Sequence, residues 1–208
     1  YRNAAQALLE LGRAEEAARL ATVGLEEAGE EAELLTMRGN CRAKLRDFAS
    51  ALADYEKALE LAPGNPDYLA NCAACCLELD MILRAEELLN RLMGIQPSAA
   101  AYNLTGNLAV VQGDELRAEL AFQESLRLEP DNADVVLNLA SLYLSQGGYA
   151  KAKQLLDPVL AKGGGPPRAL ELKRQMRERF ESRLACDGCR REWWLPREIS
   201  PQPAFRVH

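Results

Sequence analysis

The chain has 208 residues, of which 48% are hydrophobic, 27% charged and 6% aromatic, and its formal net charge is −6. This composition fits an ordinary globular protein, and the net acidity argues against general nucleic-acid binding. No apolar run reaches the roughly 18 residues that a membrane span needs, and a single histidine, His208, excludes most histidine-dependent catalysis and histidine-rich metal sites.

Alanine and leucine, with 33 and 35 copies, favour helix over strand. A repeat runs through residues 1–166, marked by alanines spaced 34, 34, 33 and 34 residues apart: Ala17, Ala51, Ala85, Ala118 and Ala152. A second helical stretch precedes each of them and carries one small residue at a fixed offset: Ala5, Gly39, Ala73, Gly106 and Ala140. The constant period predicts five stacked helix–turn–helix units. Their approximate bounds are 1–31, 32–65, 66–98, 99–132 and 133–166.

This pattern resembles the tetratricopeptide repeat. The fourth unit carries the resemblance in Tyr102, Gly106, the Gly113-Asp114 turn, Ala118, Phe122 and Pro130. The resemblance implies an all-α, right-handed superhelix whose first helices, the A helices, line a concave groove. We expect the small residue of each helix A to face the alanine of its helix B, where the two helices cross closely. A larger side chain at one fixed position of helix B would fill the space between neighbouring units.

The array ends at a glycine–proline stretch over residues 163–167, which stops the fifth unit. Residues 167–185 have one apolar stripe at helical spacing, namely Leu172, Met176, Phe180 and Leu184. We expect this helix to cap the solenoid, and a free-standing interaction helix is the alternative. Residues 167–208 hold 10 basic and 6 acidic side chains, against 15 and 25 in the repeats. This basic segment could touch nucleic acid or the acidic repeats.

The resemblance implies that the groove binds another protein, as an extended peptide or a short helix. The candidate contacts from the A helices are Asn40, Lys44, Asn71, Asn103, Asn107 and Asn138. An asparagine amide both donates and accepts, so it can bond a peptide backbone whatever its side chains, although solvation alone is the alternative. Apolar groove positions, which suit an amphipathic helix or a mixed peptide, are Leu77, Val110, Val111, Leu137 and Leu144.

One branch of the family grips the C-terminal carboxylate of chaperone tails through lysine, asparagine and further basic side chains. A first set offers Asn40 and Asn71 but has Thr36 in place of the lysine and Ala100 and Leu104 in place of the bases. A second set offers Asn107, Asn138 and Arg168 but has Asn103 in place of the lysine and Leu172 in place of the other base. The charges needed for bidentate carboxylate capture are therefore incomplete, and chaperone-tail binding is not expected.

The six cysteines form two groups. Four lie in predicted A helices, where core packing is expected: Cys41, Cys72, Cys75 and Cys76. A metal site at the last three of these is the alternative. Cys186 and Cys189 form a C-x-x-C pair similar to one knuckle of a zinc ribbon, with Trp193 or Trp194 covering the ion. This is half a site, so full zinc coordination would need His208 together with another group, a partner subunit's pair, or residues missing from this chain. An empty dithiol and a disulfide are the alternatives.

The leading prediction is a non-catalytic adaptor or scaffold. The alternative is a metal-dependent regulatory module whose C-x-x-C tail, within residues 186–208, contacts nucleic acid or a second protein and could join subunits into an oligomer. An enzyme is not expected, because the C-x-x-C pair follows a helix, where the dipole opposes thiolate formation. Free-looking cysteines favour the cytoplasm. Tyr1 falls at the fourth position of the family pattern, so we expect a longer array upstream.

Overall fold

The computed structural model describes residues 1–161 and 166–184, with side chains at 1–161 and 166–178. Throughout these ranges the regular structure is helical, which confirms the predicted all-α class. Among the helices described, none is long and apolar enough to cross a membrane. In chain order they are α1 (Arg2–Glu10), α2 (Ala14–Ala28), α3 (Ala32–Lys44), α4 (Phe48–Leu61), α5 (Pro66–Glu78), α6 (Ile82–Ile95), α7 (Ala99–Gln112), α8 (Glu115–Leu128), α9 (Ala133–Ser145), α10 (Tyr149–Ala161) and α11 (Pro167–Leu184).

Consecutive helices pack into five hairpins, each made of a helix A and a helix B. The A helices are α1, α3, α5, α7 and α9, and the B helices are α2, α4, α6, α8 and α10. Each A helix after the first packs against its own helix B and against helix B of the preceding hairpin. Neighbouring hairpins therefore share their interiors, as the repeat period predicts. The last helix, α11, packs on both helices of the fifth hairpin.

Side-chain caps define where several helices begin. The side chain at each of these positions accepts a hydrogen bond from a backbone N–H of the first turn: Asp47, Asn65, Ser98, Asp114 and Asn132. Each cap satisfies a donor that the helix itself leaves unpaired, and is worth about 1 kcal/mol. Three of the five caps start A helices, so they help to keep the groove-facing side chains in register.

The turn between helix A and helix B contains one left-handed residue in every hairpin. These residues are Gly12, Arg46, Asp80, Gly113 and Gly147, with φ angles of 77°, 62°, 56°, 76° and 75°. Glycine adopts this conformation without steric cost, whereas a residue with a Cβ atom does not. The second and third hairpins therefore carry local strain that the other three avoid.

Replacing Asp80 with glycine is expected to raise the free energy of unfolding by about 0.5–1 kcal/mol, because the left-handed turn is then unstrained. Urea denaturation of the purified chain measures the change. Asp80→Ala is the matched control, since it removes the same carboxylate and keeps the Cβ atom. If both variants were equally stable, backbone strain at this turn would not be the cause.

In the second and fourth hairpins, the two helices approach closely because a glycine of helix A packs against an aromatic ring of helix B. A Cβ atom added to Gly106 would lie 2.5 Å from Cε1 of Phe122, and one added to Gly39 would lie 2.6 Å from Cε1 of Tyr55. The nearest neighbours of both glycines are thus aromatic rings, and the expected alanine of helix B is not among them. In the third and fifth hairpins, which have alanine at the glycine position, the ring is replaced by leucine, as Ala73 with Leu89 and Ala140 with Leu156. The first hairpin has alanine at both positions, Ala5 and Ala21.

Candidate peptide-binding groove

The A helices line a concave pocket at the second and third hairpins. Its lining includes Thr36 and Asn40 from α3, Asp67 and Asn71 from α5, and Ala100 from α7. The backbone carbonyls of these helices are used within the helices, so the polar side chains are the groups available to a ligand. This pocket lies where the sequence predicts the groove.

Asn40 and Asn71 both belong to this pocket, and both are half-buried. The Asn40 Oδ1 atom accepts a hydrogen bond of 2.7 Å from the hydroxyl of Tyr55. Its amide nitrogen is therefore the group that it offers to a ligand. Lys44 is exposed one turn further along α3, and the pocket lining does not include it.

Three of the predicted asparagines come together further along the groove. Asn138 on α9 donates through Nδ2 to Oδ1 of Asn103, at 2.9 Å, and to Oδ1 of Asn107, at 3.1 Å. Asn138 Oδ1 in turn accepts a hydrogen bond of 2.8 Å from Nη2 of Arg168, which lies on α11. We call these four residues the asparagine cluster.

The direction of each hydrogen bond in the asparagine cluster is fixed. A guanidinium group can only donate hydrogen bonds, so the amide oxygen of Asn138 must face Arg168 and its nitrogen must face α7. The amide oxygens of Asn103 and Asn107 are then both occupied as acceptors. Their two amide nitrogens and the guanidinium group keep donors for a ligand, while each amide oxygen has already used one of its two lone pairs. The cluster is therefore suited to carbonyl or carboxylate oxygens.

From the sequence alone, Arg168 belongs only to an incomplete set of carboxylate-gripping residues. It joins the cluster because α11 continues the 34-residue register past the glycine–proline stretch. Extending that register from Asp134 would have indicated its position. The guanidinium group of Arg168 and the amide nitrogens of Asn103 and Asn107 form a donor site, although the lysine of the carboxylate-gripping branch is absent here.

The apolar part of the groove differs from the prediction. Leu137 and Leu144 are 1% and 3% exposed, so the expectation that they line the groove was wrong. They belong to the same buried core cluster as residues of α11, which packs on α9. Leu77 is partly buried, whereas Val110 and Val111 at the end of α7 are 47% and 53% exposed. Those two valines are the main apolar surface left to a groove ligand.

Cys41, Cys72, Cys75 and Cys76 are buried free thiols in the core, as expected. Burial raises the pKa of Cys72 to about 12 and that of Cys75 to about 11, because desolvation disfavours the thiolate. Within the described ranges no group of three or more His, Cys, Asp or Glu side chains could hold a metal ion. The alternative of a metal site at Cys72, Cys75 and Cys76 is therefore not supported.

The buried thiols are expected to react slowly with Ellman's reagent at pH 8 in the folded chain. An unfolded cysteine has a pKa of about 8.5 and is partly thiolate at this pH, whereas the raised pKa values keep the buried groups protonated. The measurement uses the Cys186→Ser/Cys189→Ser variant, so that only the four thiols in the described helices can react with the reagent. Rapid labelling without urea would contradict this expectation, and labelling should accelerate as urea unfolds the chain.

Cys186 and Cys189 lie outside the described residues, as do Trp193, Trp194 and His208. Zinc binding at the C-x-x-C pair, and an oligomer formed through the tail, therefore stay predictions. The capping stripe is described in part: Leu172 and Met176 are buried, whereas the side chains of Phe180 and Leu184 are outside the described ranges.

Tetratricopeptide repeat profiles match residues 2–66, 43–108 and 110–176. The chain belongs to the tetratricopeptide repeat family. Its members are generally protein-interaction scaffolds without catalytic activity. The observed hairpins are thus the repeats of this family, and the predicted superhelical solenoid is confirmed.

Among curated proteins, the chain is similar to a TPR repeat-containing protein of Treponema pallidum, with 36% identity over 91 residues, which cover 44% of this chain and 11% of that protein. It is also 28% identical over 138 residues to cellulose synthase operon protein C of Pseudomonas fluorescens, covering 62% of this chain and 11% of that protein. The matched regions are thus small parts of these much longer proteins.

Solved structures with the same fold include the two that follow. A tetratricopeptide repeat protein from Parabacteroides merdae has a TM-score of 0.75 and 19% identity, covering 88% of this chain and 72% of that one. A thermophilic TPR protein of Thermus thermophilus has a TM-score of 0.71 and 22% identity, covering 88% of this chain and 96% of that one.

Proposed function

We propose that this chain is a non-catalytic adaptor that holds a segment of another protein in its concave groove, with the asparagine cluster as the principal contact. The observation that supports this most directly is the polarity of the cluster. Its hydrogen bonds use the amide oxygens and leave donors for a ligand. A peptide main chain offers carbonyl oxygens at regular intervals, and this is the acceptor that such a site fits.

The groove offers a second contact at the pocket between α3 and α5. Asn40 presents its amide nitrogen there, and Asn71 lines the same pocket. Val110 and Val111 give an exposed apolar surface at the end of α7, the helix that carries Asn103 and Asn107. A bound segment would therefore pair its main chain with amides and place apolar side chains on the valines.

The double substitution Asn71→Ala/Asn107→Ala is expected to weaken partner binding by about tenfold or more, because hydrogen bonds at both contacts are lost. A pull-down with the full-length protein identifies the partner, and titration calorimetry then gives Kd. Asn90→Ala is the matched control, since Asn90 is an exposed asparagine on a B helix, α6. Kd should change less than about twofold for Asn90→Ala and for Cys186→Ser.

A photoreactive residue at Val110 tests the location independently of any hydrogen bond. It should crosslink the partner, whereas the same residue at Leu120 on α8 should not. Crosslinking only from the B helices would overturn the proposal. Thermal melts of the asparagine variants separate lost binding from lost folding, because Asn107 also bonds Asn138.

A further inference from the structure

The pocket between α3 and α5 contains a tyrosine hydroxyl that the fold does not use. Tyr68 is 8% exposed, and it lines this pocket. Its backbone N–H is bonded to the Asn65 cap, but its hydroxyl makes no hydrogen bond to the part of the chain that the structure describes. No fully buried side-chain nitrogen or oxygen in that part lacks a partner. The hydroxyl of this otherwise buried side chain therefore meets solvent, and it does so at the pocket.

A tyrosine is exceptional at this position of the repeat. The corresponding residues of α3, α7, α9 and α11 are apolar and buried, at 4%, 0%, 0% and 0% exposed: Leu34, Ala101, Val135 and Ala169. Packing between neighbouring hairpins therefore requires only an aliphatic side chain here, and the phenol adds a polar group that packing does not need. An unused hydroxyl on the wall of a concave pocket points to a ligand with a hydrogen-bonding group.

The wall of the pocket carries two carboxylates and, among the residues described, no basic side chain. Glu33 is paired with Arg2 of α1, so its charge is already compensated. The carboxylate of Asp67 is exposed and has no ion pair or hydrogen bond in the described ranges. Acidic residues also occupy this position in α3 and α9, where they suit the helix N-terminus, so Asp67 by itself indicates no ligand. Only in α5 is the carboxylate followed by a tyrosine whose hydroxyl is unused.

Two amides complete the polar wall. Asn71 lies four residues after Asp67 on α5, so both side chains are on one face of the helix. The amide of Asn71 makes no hydrogen bond within the described part of the chain, so it can turn its oxygen into the pocket. Asn40 on α3 instead offers its nitrogen, because its oxygen accepts from Tyr55. The pocket therefore has acceptors on its α5 side and a donor on its α3 side.

We propose that this pocket binds a lysine or arginine side chain of the segment held in the groove. The inference rests on the proposed function and adds to it the chemistry of one ligand residue. The cation would donate to the carboxylate of Asp67, the hydroxyl oxygen of Tyr68 and the amide oxygen of Asn71. Its aliphatic stem would lie on the wall at Ala100, as long cationic side chains do on apolar surface. The main-chain carbonyl of the same residue would accept from Asn40.

Other occupants fit this wall less well. An acidic side chain would meet two carboxylates and no free cation. A metal ion has too few ligands, since the described residues contain no group of three or more His, Cys, Asp or Glu side chains that could hold one. An ammonium or guanidinium group can only donate, and the unused groups of α5 are the acceptors that it needs.

Nuclear magnetic resonance titration of the full chain with N-acetyl-arginine methylamide tests the proposal without the partner. This probe carries a guanidinium group and main-chain carbonyls, and the matching citrulline derivative has the same shape without the charge. The arginine probe should shift the amide signals of Asp67, Tyr68 and Asn71. Its Kd should be about fivefold lower than that of the citrulline probe, because only a cation pairs with the carboxylate.

Tyr68→Phe removes only the hydroxyl and should weaken binding of the arginine probe by about fivefold. It should leave the urea midpoint of unfolding unchanged, because the hydroxyl has no partner in the fold, and this separates a ligand contact from a structural role. Asp67→Asn should weaken binding by about threefold to fivefold. Asp134→Asn is the matched control, since it removes the equivalent carboxylate of α9 outside the pocket, and Kd should stay within about twofold.

Equal affinity for the arginine and citrulline probes would overturn the proposal, as would an equal loss of affinity in Asp134→Asn. Equal binding of methylguanidinium, which has no main-chain carbonyl, would identify a free small cation as the ligand and would also overturn it. Crosslinking from Val110 reports on the groove and not on this pocket. Absence of that crosslink together with the expected binding of the arginine probe would therefore count against the proposed function alone.

Discussion

Replacing Asp54 with alanine is expected to lower the free energy of unfolding by about 2–4 kcal/mol. Asp54 is 2% exposed, and its carboxylate pairs with two arginines of α3. The distances are 2.6 Å from Oδ1 to Nη2 of Arg38 and 2.6 Å from Oδ2 to Nη1 of Arg42. Removing the carboxylate leaves two guanidinium groups partly buried without a counter-charge. The usual cost of 3–5 kcal/mol is reduced because both arginines keep some contact with water. Urea denaturation measures the change.

The triple variant Arg38→Leu/Arg42→Tyr/Asp54→Leu shows why Asp54→Ala loses stability. The cause is either that the two arginines are left without a counter-charge or that the ion pairs themselves were strongly stabilising. It places at these positions the residues that the fifth hairpin has at the corresponding ones, namely Leu139, Tyr143 and Leu155. Removing all three charges together should change stability by no more than about 1 kcal/mol. If the triple variant were as unstable as Asp54→Ala, packing or a wider network would be responsible, and the unpaired charges would not explain the loss.

The period of the sequence was sufficient to predict the hairpins and the grouping of the asparagines. The family pattern assigns the fifth, sixth and ninth positions of helix A to the groove. Asn103, Asn138 and Asn107 hold these positions, so they could be assigned to one surface before any contact was known. The direction of their hydrogen bonds could not be predicted, because it depends on Arg168, which lies beyond the break in the repeat pattern. The burial of Leu137 depends on the packing of α11 and was missed for the same reason.

The charged cluster around Asp54 was also overlooked, although the sequence contained a signal. Arg38 and Arg42 occupy helix A positions at which the fifth hairpin has buried apolar residues, and Asp54 is the acidic residue that faces them from helix B. A charged pair at core positions requires a counter-charge nearby. Comparing each repeat position across the five units would have identified this exception.

Replacing Gly106 with alanine is expected to lower the free energy of unfolding by about 2 kcal/mol, although alanine is the better helix former. The added Cβ would lie 2.5 Å, 2.6 Å and 2.9 Å from three ring atoms of Phe122, which is 1% exposed. The gain in helix propensity is about 1 kcal/mol. Overpacking against a ring that cannot move costs about 3 kcal/mol and outweighs it. Gly94→Ala is the matched control, because Gly94 is helical with no atom near its Cβ position, and it should raise stability by about 0.5–1 kcal/mol.

Adding Phe122→Leu to the Gly106→Ala variant should recover most of the lost stability. Phe122→Leu alone leaves a cavity beside Gly106 and should cost about 1–2 kcal/mol. In the double variant, the added methyl group occupies part of that cavity, which reproduces the Ala73 and Leu89 pair of the third hairpin. The two substitutions should therefore couple favourably by about 3 kcal/mol in a double-mutant cycle. Simple additivity would mean that the two side chains do not set the distance between α7 and α8, and that glycine is needed there for another reason.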